Sequence, residues 1–309
     1  FTLLFEAFSM ELANHMPLSV AEKILGIYYN RIMRIVTYYV TKARAQVDMS
    51  SVTKISLDET SKAKGHDYIS VFSDLEQRKT LFVTEGRDHT VCKAFACDLA
   101  VHGGDPERVS TACIDLSKAF IKGVEKYLPS ARIVFDKFHV AGYVNEAVDQ
   151  VRREEQKTNT ELVGSRYAFL HSPENTTEKQ KATLAKLSTM NLKTMKAYRI
   201  KLALRQIYDL KTPSYAEQKL KEWYFWSTHS RLQPIIEAAR TIKRHWKGVV
   251  RYFKDRVTNG LAEGINGIIQ TIKRQARGFK NTKNFITMIY LRLAKLNFDL
   301  PTVTGLASR

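Results

Sequence analysis

Cysteine is scarce in this chain of 309 residues, and the three present, Cys92, Cys97 and Cys113, form no C-x-x-C pair. So odd and scattered a set excludes a disulfide framework and a structural zinc site of ordinary spacing, and it predicts three reduced core thiols. No uncharged apolar run reaches the roughly 18 residues that a membrane helix needs. The apolar opening, residues 1–5, is broken at once by Glu6 and lacks a basic leader, so no signal peptide is expected. Position 1 is not Met, which reads as a fragment. No internal repeat is visible. Acids are also in deficit: 31 Asp and Glu stand against 49 Lys and Arg, giving a net charge of +18 and a pI near 9.7.

What is present is enough apolar material, 44% of residues, to build the cores of two or three globular domains. The basic excess predicts a polyanionic partner, nucleic acid before a membrane surface.

Residues 1–48 read as three helices. Phe1, Leu4 or Phe5, Phe8 and Leu12 share a face, Pro17 breaks the chain, and Ser19-Val-Ala-Glu22 carries the spacing of a capping box. Gly26 ends the second helix. The third, from about 28 to 44, turns Ile32, Val36, Tyr39 and Val40 toward a core and leaves Asn30, Arg31 and Arg34 near its start for a partner. Short helix, glycine turn and basic helix together suggest helix-turn-helix DNA binding, although basic three-helix bundles of other kinds are as common.

From 52 to 136 the period becomes that of strands. Candidates are 52–58, 67–74, 79–85, 109–115 and 132–135, with helices near 90–102 and 117–127. The first three follow one another without helices and should form an antiparallel meander; the last two, separated by helices, suit parallel pairing with right-handed crossovers. That order is the ribonuclease-H-like arrangement: an α/β fold with a mixed five-stranded sheet. Residues 138 to about 250 lose strand character and read as an all-helical insertion. The expected division is 1–48 helix-turn-helix, 49–137 first part of the catalytic core, 138–254 insertion, and 255–309 final core helices with a basic end.

Three acids carry the candidate chemistry. Asp58 and Asp115 each close an apolar strand-like run, and Glu263 lies on a late helical pattern. Convergent carboxylates of this kind suit hard divalent cations and phosphodiester chemistry. Acids also follow strands simply because turns favour them, so neither aspartate persuades alone. Asn259, Glu263, Asn266 and Gln270 fall on one helical face, opposite an apolar stripe of Leu261, Ile265, Ile268 and Ile272. Amides on such a face could position water or phosphate beside a metal. Asp136 and His139, directly after the fifth strand, fit a third metal ligand, a phosphate contact or a plain strand-to-helix junction; on residues alone the junction is the commoner outcome. Basic residues flank these positions: Arg231, Arg240, Lys243, Arg244, Lys247, Arg251, Lys254 and Arg256 before Glu263, and Lys273, Arg274, Arg277, Lys280 and Lys283 after it. Runs of this kind can be solvated faces, but flanking these positions they are expected to neutralise phosphates. Trp223, Trp226 and Trp246 are expected in the core.

Ser56-Leu57-Asp58-Glu59-Thr60, Lys64-Gly65-His66-Asp67-Tyr68, Thr84-Glu85-Gly86-Arg87, Ile114-Asp115-Leu116-Ser117, Phe135-Asp136-Lys137-Phe138-His139-Val140, Ala239-Arg240-Thr241-Ile242-Lys243, the run from Val257 through Asn259 and Glu263 to Asn266, and Arg277-Gly278-Phe279 together resemble the IS-L-three family of bacterial insertion-sequence transposases, nearly end to end. The resemblance implies a DDE triad of Asp58, Asp115 and Glu263 holding two Mg²⁺ ions, with Mn²⁺ as a substitute. It implies cleavage at element ends, joining of the freed 3′-hydroxyl to target DNA, a homodimer on DNA, no membrane, and a bacterial cytoplasmic, nucleoid-associated protein. Asp136, His139, Asn259 and Asn266 become accessory candidates, and Arg31, Arg34, Arg240, Lys243, Arg244, Lys273, Arg274 and Arg277 DNA contacts. The family's zinc-binding segment ahead of the helix-turn-helix does not occur here, as in a fragment or a shortened member. Two alternatives stay open: a domesticated DNA-binding protein without catalysis, and a nuclease of the same fold that cuts without joining.

Overall fold

Apolar residues at helical spacing in the first 48 residues fold as α1 (Leu3–His15), α2 (Leu18–Leu25) and α3 (Tyr29–Arg44). Ile32, Val36, Tyr39 and Val40 are buried as their spacing demands, each aliphatic one contributing about 1.5–3 kcal/mol relative to exposure. Two expectations fail locally. Phe1 and Leu4 are exposed, and Ala7, Met10, Leu12 and Ala13 form the buried face of α1 instead. No capping box forms at Ser19: α2 begins at Leu18 with Pro17 at its cap, because proline presets the turn, and the Glu22 carboxylate instead accepts from the backbone N–H of Tyr29 at the start of α3. Gly26 does end α2, in the left-handed region at φ 65°.

The computed structural model describes residues 1–62, 67–256 and 260–302. The chain divides into two compact units, Phe1–Ile133 with Asn259–Arg309, and Val134–Thr258.

In the first unit β1 (Lys54–Ser61), β2 (Tyr68–Asp74) and β3 (Lys79–Glu85) form the antiparallel meander, followed by α4 (Thr90–Val101), β4 (Thr111–Ile114), α5 (Lys118–Tyr127) and β5 (Arg132–Phe135), within which the division into units falls. Strand order is β3-β2-β1-β4-β5, with β1 and β4 parallel. This is the mixed five-stranded α/β sheet expected. Directly opposed residues of an antiparallel pair share a face, so the register Asp58↔Val71↔Val83 and Thr60↔Ile69 places these five side chains together. Ile69, Val71 and Val83 belong to one core with α1, α2, α3 and two later helices, α13 (Gly260–Gln275) and α14 (Thr282–Leu293). On the other face Leu57 lies opposite Phe72, and Phe72 stacks on Phe95 of α4 with ring centroids 4.3 Å apart.

Polar anchors fix the N-terminal helices to this sheet. Arg44, at the end of α3, donates to the Leu81 carbonyl at 2.8 Å and pairs with Asp98 of α4. Arg292 of α14 reaches the carbonyls of Ala13 and Met16, at 3.0 and 2.7 Å, where α1 ends. Cys92 and Cys113 are buried, whereas Cys97 lies on the exposed side of α4 and is not the core thiol expected.

The second unit is helical beyond β5: α6 (Lys137–Gln156), α7 (Arg166–Leu170), α8 (Glu178–Ser188), α9 (Lys193–Asp209), α10 (Pro213–Thr228), α11 (Gln233–Arg244) and α12 (Trp246–Asp255). Trp223 is buried, its indole N–H donating to the Ile200 carbonyl at 2.9 Å. Trp246 is half-buried and Trp226 is 38% exposed, so only the first meets the core expectation in full. Trp226 follows Trp223 by three residues and falls to the edge of the buried stripe Ala216, Leu220 and Trp223. No helix among the described residues is long and apolar enough to cross a membrane.

Candidate active site

Asp58 is a buried carboxylate inside a strand, not at its end. β1 continues for three residues past it because the polar segment Glu59-Thr60-Ser61 keeps pairing with β2, down to Ser61↔Tyr68. The side chain is 7% exposed. Its Oδ1 accepts from the Glu59 backbone N–H at 2.8 Å, and its Oδ2 accepts from Asn266 Nδ2, also at 2.8 Å.

Asn266 comes from α13, and it does not act alone. Gln270 Nε2 donates to Thr60 Oγ1 at 2.7 Å, and Lys273 Nζ donates to the Ser61 carbonyl at 3.0 Å. Positions 266, 270 and 273 form one helical stripe, laid along β1 in the same direction as the strand. The buried residues of α13 are Ala262, Ile265, Ile269 and Ile272; Ile268 is 44% exposed, which corrects the expected apolar stripe. At about 100° per residue the isoleucine and amide stripes are therefore neighbours, not opposites. The sheet explains this: crossing from β3 to β1, its covered face changes from Val83 and Val71 to Asp58, and α13 changes character in step.

Glu263 stands on the amide side of α13, one turn before Asn266, which sets it about 4.5 Å farther along the helix axis. It is exposed. Asp115 is the first residue past β4, and its Oδ1 accepts from the Ser117 N–H at 2.9 Å in the turn that opens α5. The parallel register Lys54↔Thr111, Ile55↔Ala112, Ser56↔Cys113 runs toward both aspartates, Asp58 and Asp115 each lying two residues past its last pair. Neighbouring strands lie roughly 4.8 Å apart.

Among the described residues no three His, Cys, Asp or Glu side chains form a group able to hold a metal ion by themselves. Mg²⁺ rarely uses an all-protein cage; one or two carboxylates plus substrate phosphate oxygens are its usual set. The donors here suit that habit. Asp58 is a fixed carboxylate, and beside it Asn266 Oδ1 is buried without a hydrogen-bond partner among the described residues, an oxygen left over for a cation or an ordered water.

Other expected positions lie on further elements. Asn259 lies outside the described residues, as do Lys64, Gly65, His66, Val257 and Thr258 of the quoted motifs. Asp136 is fully buried at the cap of α6 in the second unit, with His139 in the first turn of that helix. Burial, followed by the nearby Tyr252 and Asp136, pushes the Tyr208 phenol upward. Arg240, Lys243 and Arg244 are exposed on α11, and Lys243 covers the ring of Trp246 at 4.3 Å. Arg31, Arg34, Arg274 and Arg277 are exposed in the first unit, whereas Lys273 is committed to Ser61. Thr60 and Ser61 are the partners that sequence reasoning missed; Thr60 stood in a quoted motif, but nothing local distinguishes a strand threonine that receives an amide.

A model of the IS-L-three DDE type, described as transposase, matches residues 55–289. The chain belongs to that transposase family. The transposase for insertion sequence element IS1001 of Bordetella parapertussis is 27% identical over 250 residues, covering 78% of this chain and 61% of that protein. The transposase for insertion sequence element IS1557 of Mycobacterium tuberculosis is 25% identical over 280 residues, covering 82% and 62%. The chain thus spans about three fifths of the length of these relatives.

Proposed function

We propose that this chain is the end-binding and catalytic part of a DDE transposase, which cleaves phosphodiesters at the ends of its insertion sequence and joins the 3′-hydroxyl to target DNA. The observation that carries the reading is the Asn266–Asp58 hydrogen bond, because it sets the helix bearing Glu263 on the strand bearing Asp58, 208 residues away in sequence. Family membership and the net charge of +18 support it.

In this reading Asp58, Asp115 and Glu263 hold divalent ions together with DNA phosphate oxygens. When bound, such ions supply Lewis-acid activation of the attacking oxygen and neutralise charge on the phosphate. Asn266 fixes the Asp58 rotamer, and Gln270 and Lys273 keep α13 seated on β1. Helices α1 to α3 act as the helix-turn-helix, with Arg31 and Arg34 toward the element's end. Residues 138–254 are an all-helical insertion whose exposed Arg240, Lys243 and Arg244 face DNA, and Arg274 and Arg277 add contacts beyond Glu263.

The test is incubation of the full-length protein with duplex carrying its own element ends and Mg²⁺, with both nicked and joined strands mapped. Asp58→Asn, Asp115→Asn and Glu263→Gln should each lower cleavage by about 10³-fold or more while end binding persists. Near-normal cleavage in any one of them removes that residue from the triad. Cutting without joining would recast the enzyme as a nuclease.

A further inference from the structure

A groove of about 830 Å³ in the first unit has a lining that does not include Asp58. Its walls come from both ends of the sequence: the start of α2 and of α3 on one side, and the segment joining α13 to α14 on the other. Lys23, Arg277 and Lys280 line it, all exposed, and none is paired with an acid among the described residues. Arg292 also lines it but is spent on the carbonyls of Ala13 and Met16 and on Gln275. The lining acid, Glu22, is occupied by the Tyr29 N–H. With Arg292 counted, four cations line the groove against one carboxylate, so it keeps a net positive charge.

Its basic wall is built rather than loose. Arg277 sits in the left-handed region at φ 52°, followed by Gly278 at φ 92°, whose N–H donates to the Lys273 carbonyl at 2.9 Å and closes α13. A non-glycine residue held there is strained, and such strain persists where the surroundings impose it. Here the imposing contact is Phe279, which stacks on the buried Phe285 at 5.0 Å and pins the segment between its two cations. The first residues of α3 and the cap of α14, Asn281, open on the same groove and add partial positive charge.

We infer that this groove binds the sugar-phosphate backbone of duplex DNA at the element's end, so that α2–α3 and the segment after the Glu263 helix grip one duplex together. The inference rests on the transposase reading but concerns binding and not cleavage. Contact between Lys23, Arg277 and Lys280 and phosphates releases counterions, and each such contact contributes about −0.9 to the slope of log affinity against log salt.

The experiment measures anisotropy of labelled end duplex and random duplex in EDTA, with the full chain from 50 to 300 mM salt (on the order of the range over which such slopes are read). The triple variant K23A/R277A/K280A should flatten the slope by about 2 to 3 and weaken both duplexes about equally, since phosphate contacts carry no sequence information. K93A/K122A/K126A, which removes as much exposed charge from α4 and α5, should change the slope far less. R31A/R34A should instead weaken binding to end duplex more than to random duplex. Matching circular dichroism melts establish that each variant is folded; should the triple variant melt early, the single variants R277Q and K280Q are measured instead, each expected to flatten the slope by about 1. A groove variant with the slope of the α4–α5 control overturns the inference. The titrations in EDTA read binding without chemistry, and Asp58→Asn should keep the slope of the natural protein in them, so failure of the groove and failure of the catalytic reading are told apart.

Discussion

Asp58 shows what one residue gains from a distant partner. The carboxylate is buried on the sheet face that also carries Thr60, Ile69, Val71 and Val83, and burying such a group is costly unless its oxygens are hydrogen-bonded. Asn266 supplies one of those bonds at 2.8 Å. Asn266→Ala should therefore destabilise the protein by about 1–3 kcal/mol, the range for leaving a buried polar group without its partner. Urea denaturation followed by circular dichroism in EDTA checks this, and an unchanged midpoint would show that water replaces the amide at no cost. Half of this arrangement was legible beforehand. Spacing alone put Asn266 and Gln270 on one helical face, and amides there were unusual enough to single out. Their acceptors were not legible, because Asp58 and Thr60 lie 208 and 210 residues away and only the folded sheet brings them under α13. Ile268 was misassigned for a related reason: periodicity gives the phase of a stripe, but the facing surface decides where the stripe ends.

Among elements, those bounded by clear punctuation were read to the residue. β3 and β5 begin and end where expected, each flanked by turn residues. β1 was read three residues short, because its last residues are polar and stay in the sheet through pairing with β2, which no hydrophobic pattern records. How α7 is capped was not legible at all. Lys201, on α9, donates from Nζ to the carbonyls of Phe169 and Leu170, at 2.7 and 2.8 Å, and to that of His171 at 3.3 Å, taking the place of a C-terminal cap. Burial holds this amine down to about 8 from its ordinary 10.5, with the nearby Arg205 adding to the effect. Between those values the unfolded lysine keeps its proton while the folded one gives it up, so raising the pH from 8 toward 10.5 favours the folded state at this position. All three tryptophans lie in residues 134–258, so their fluorescence reports on this unit. Urea titrations from pH 7.5 to 10 should accordingly show Lys201→Met losing ground against the natural protein as pH rises (these values being set by the window of about 8 to 10.5). Parallel curves would mean that the carbonyls keep Lys201 charged throughout.

At the scale of the whole molecule, charge was the plainest message of the sequence, and it says least about where DNA lies. A net charge of +18 draws a polyanion from any direction, but only cations that displace counterions at phosphates enter the salt dependence. The fold selects them. Lys273 is committed to Ser61, Arg292 to backbone carbonyls and Arg44 to Asp98, whereas Arg31, Arg34, Lys23, Arg277 and Lys280 stand exposed in the first unit. Five phosphate contacts from these residues predict a slope of about −4.5 for duplex DNA, and a loss of affinity on the order of 10²–10³-fold between 50 and 200 mM salt. The exposed cations of the second unit can only steepen this figure. Anisotropy titrations against end duplex at several salt concentrations measure it directly. A steeper slope would count Arg240, Lys243 and Arg244 in, and their combined replacement by alanine should then return it toward −4.5, about 0.9 per contact removed. A flat affinity over the same range would mean that the charge excess serves something other than DNA, and the end-binding role would fall with it.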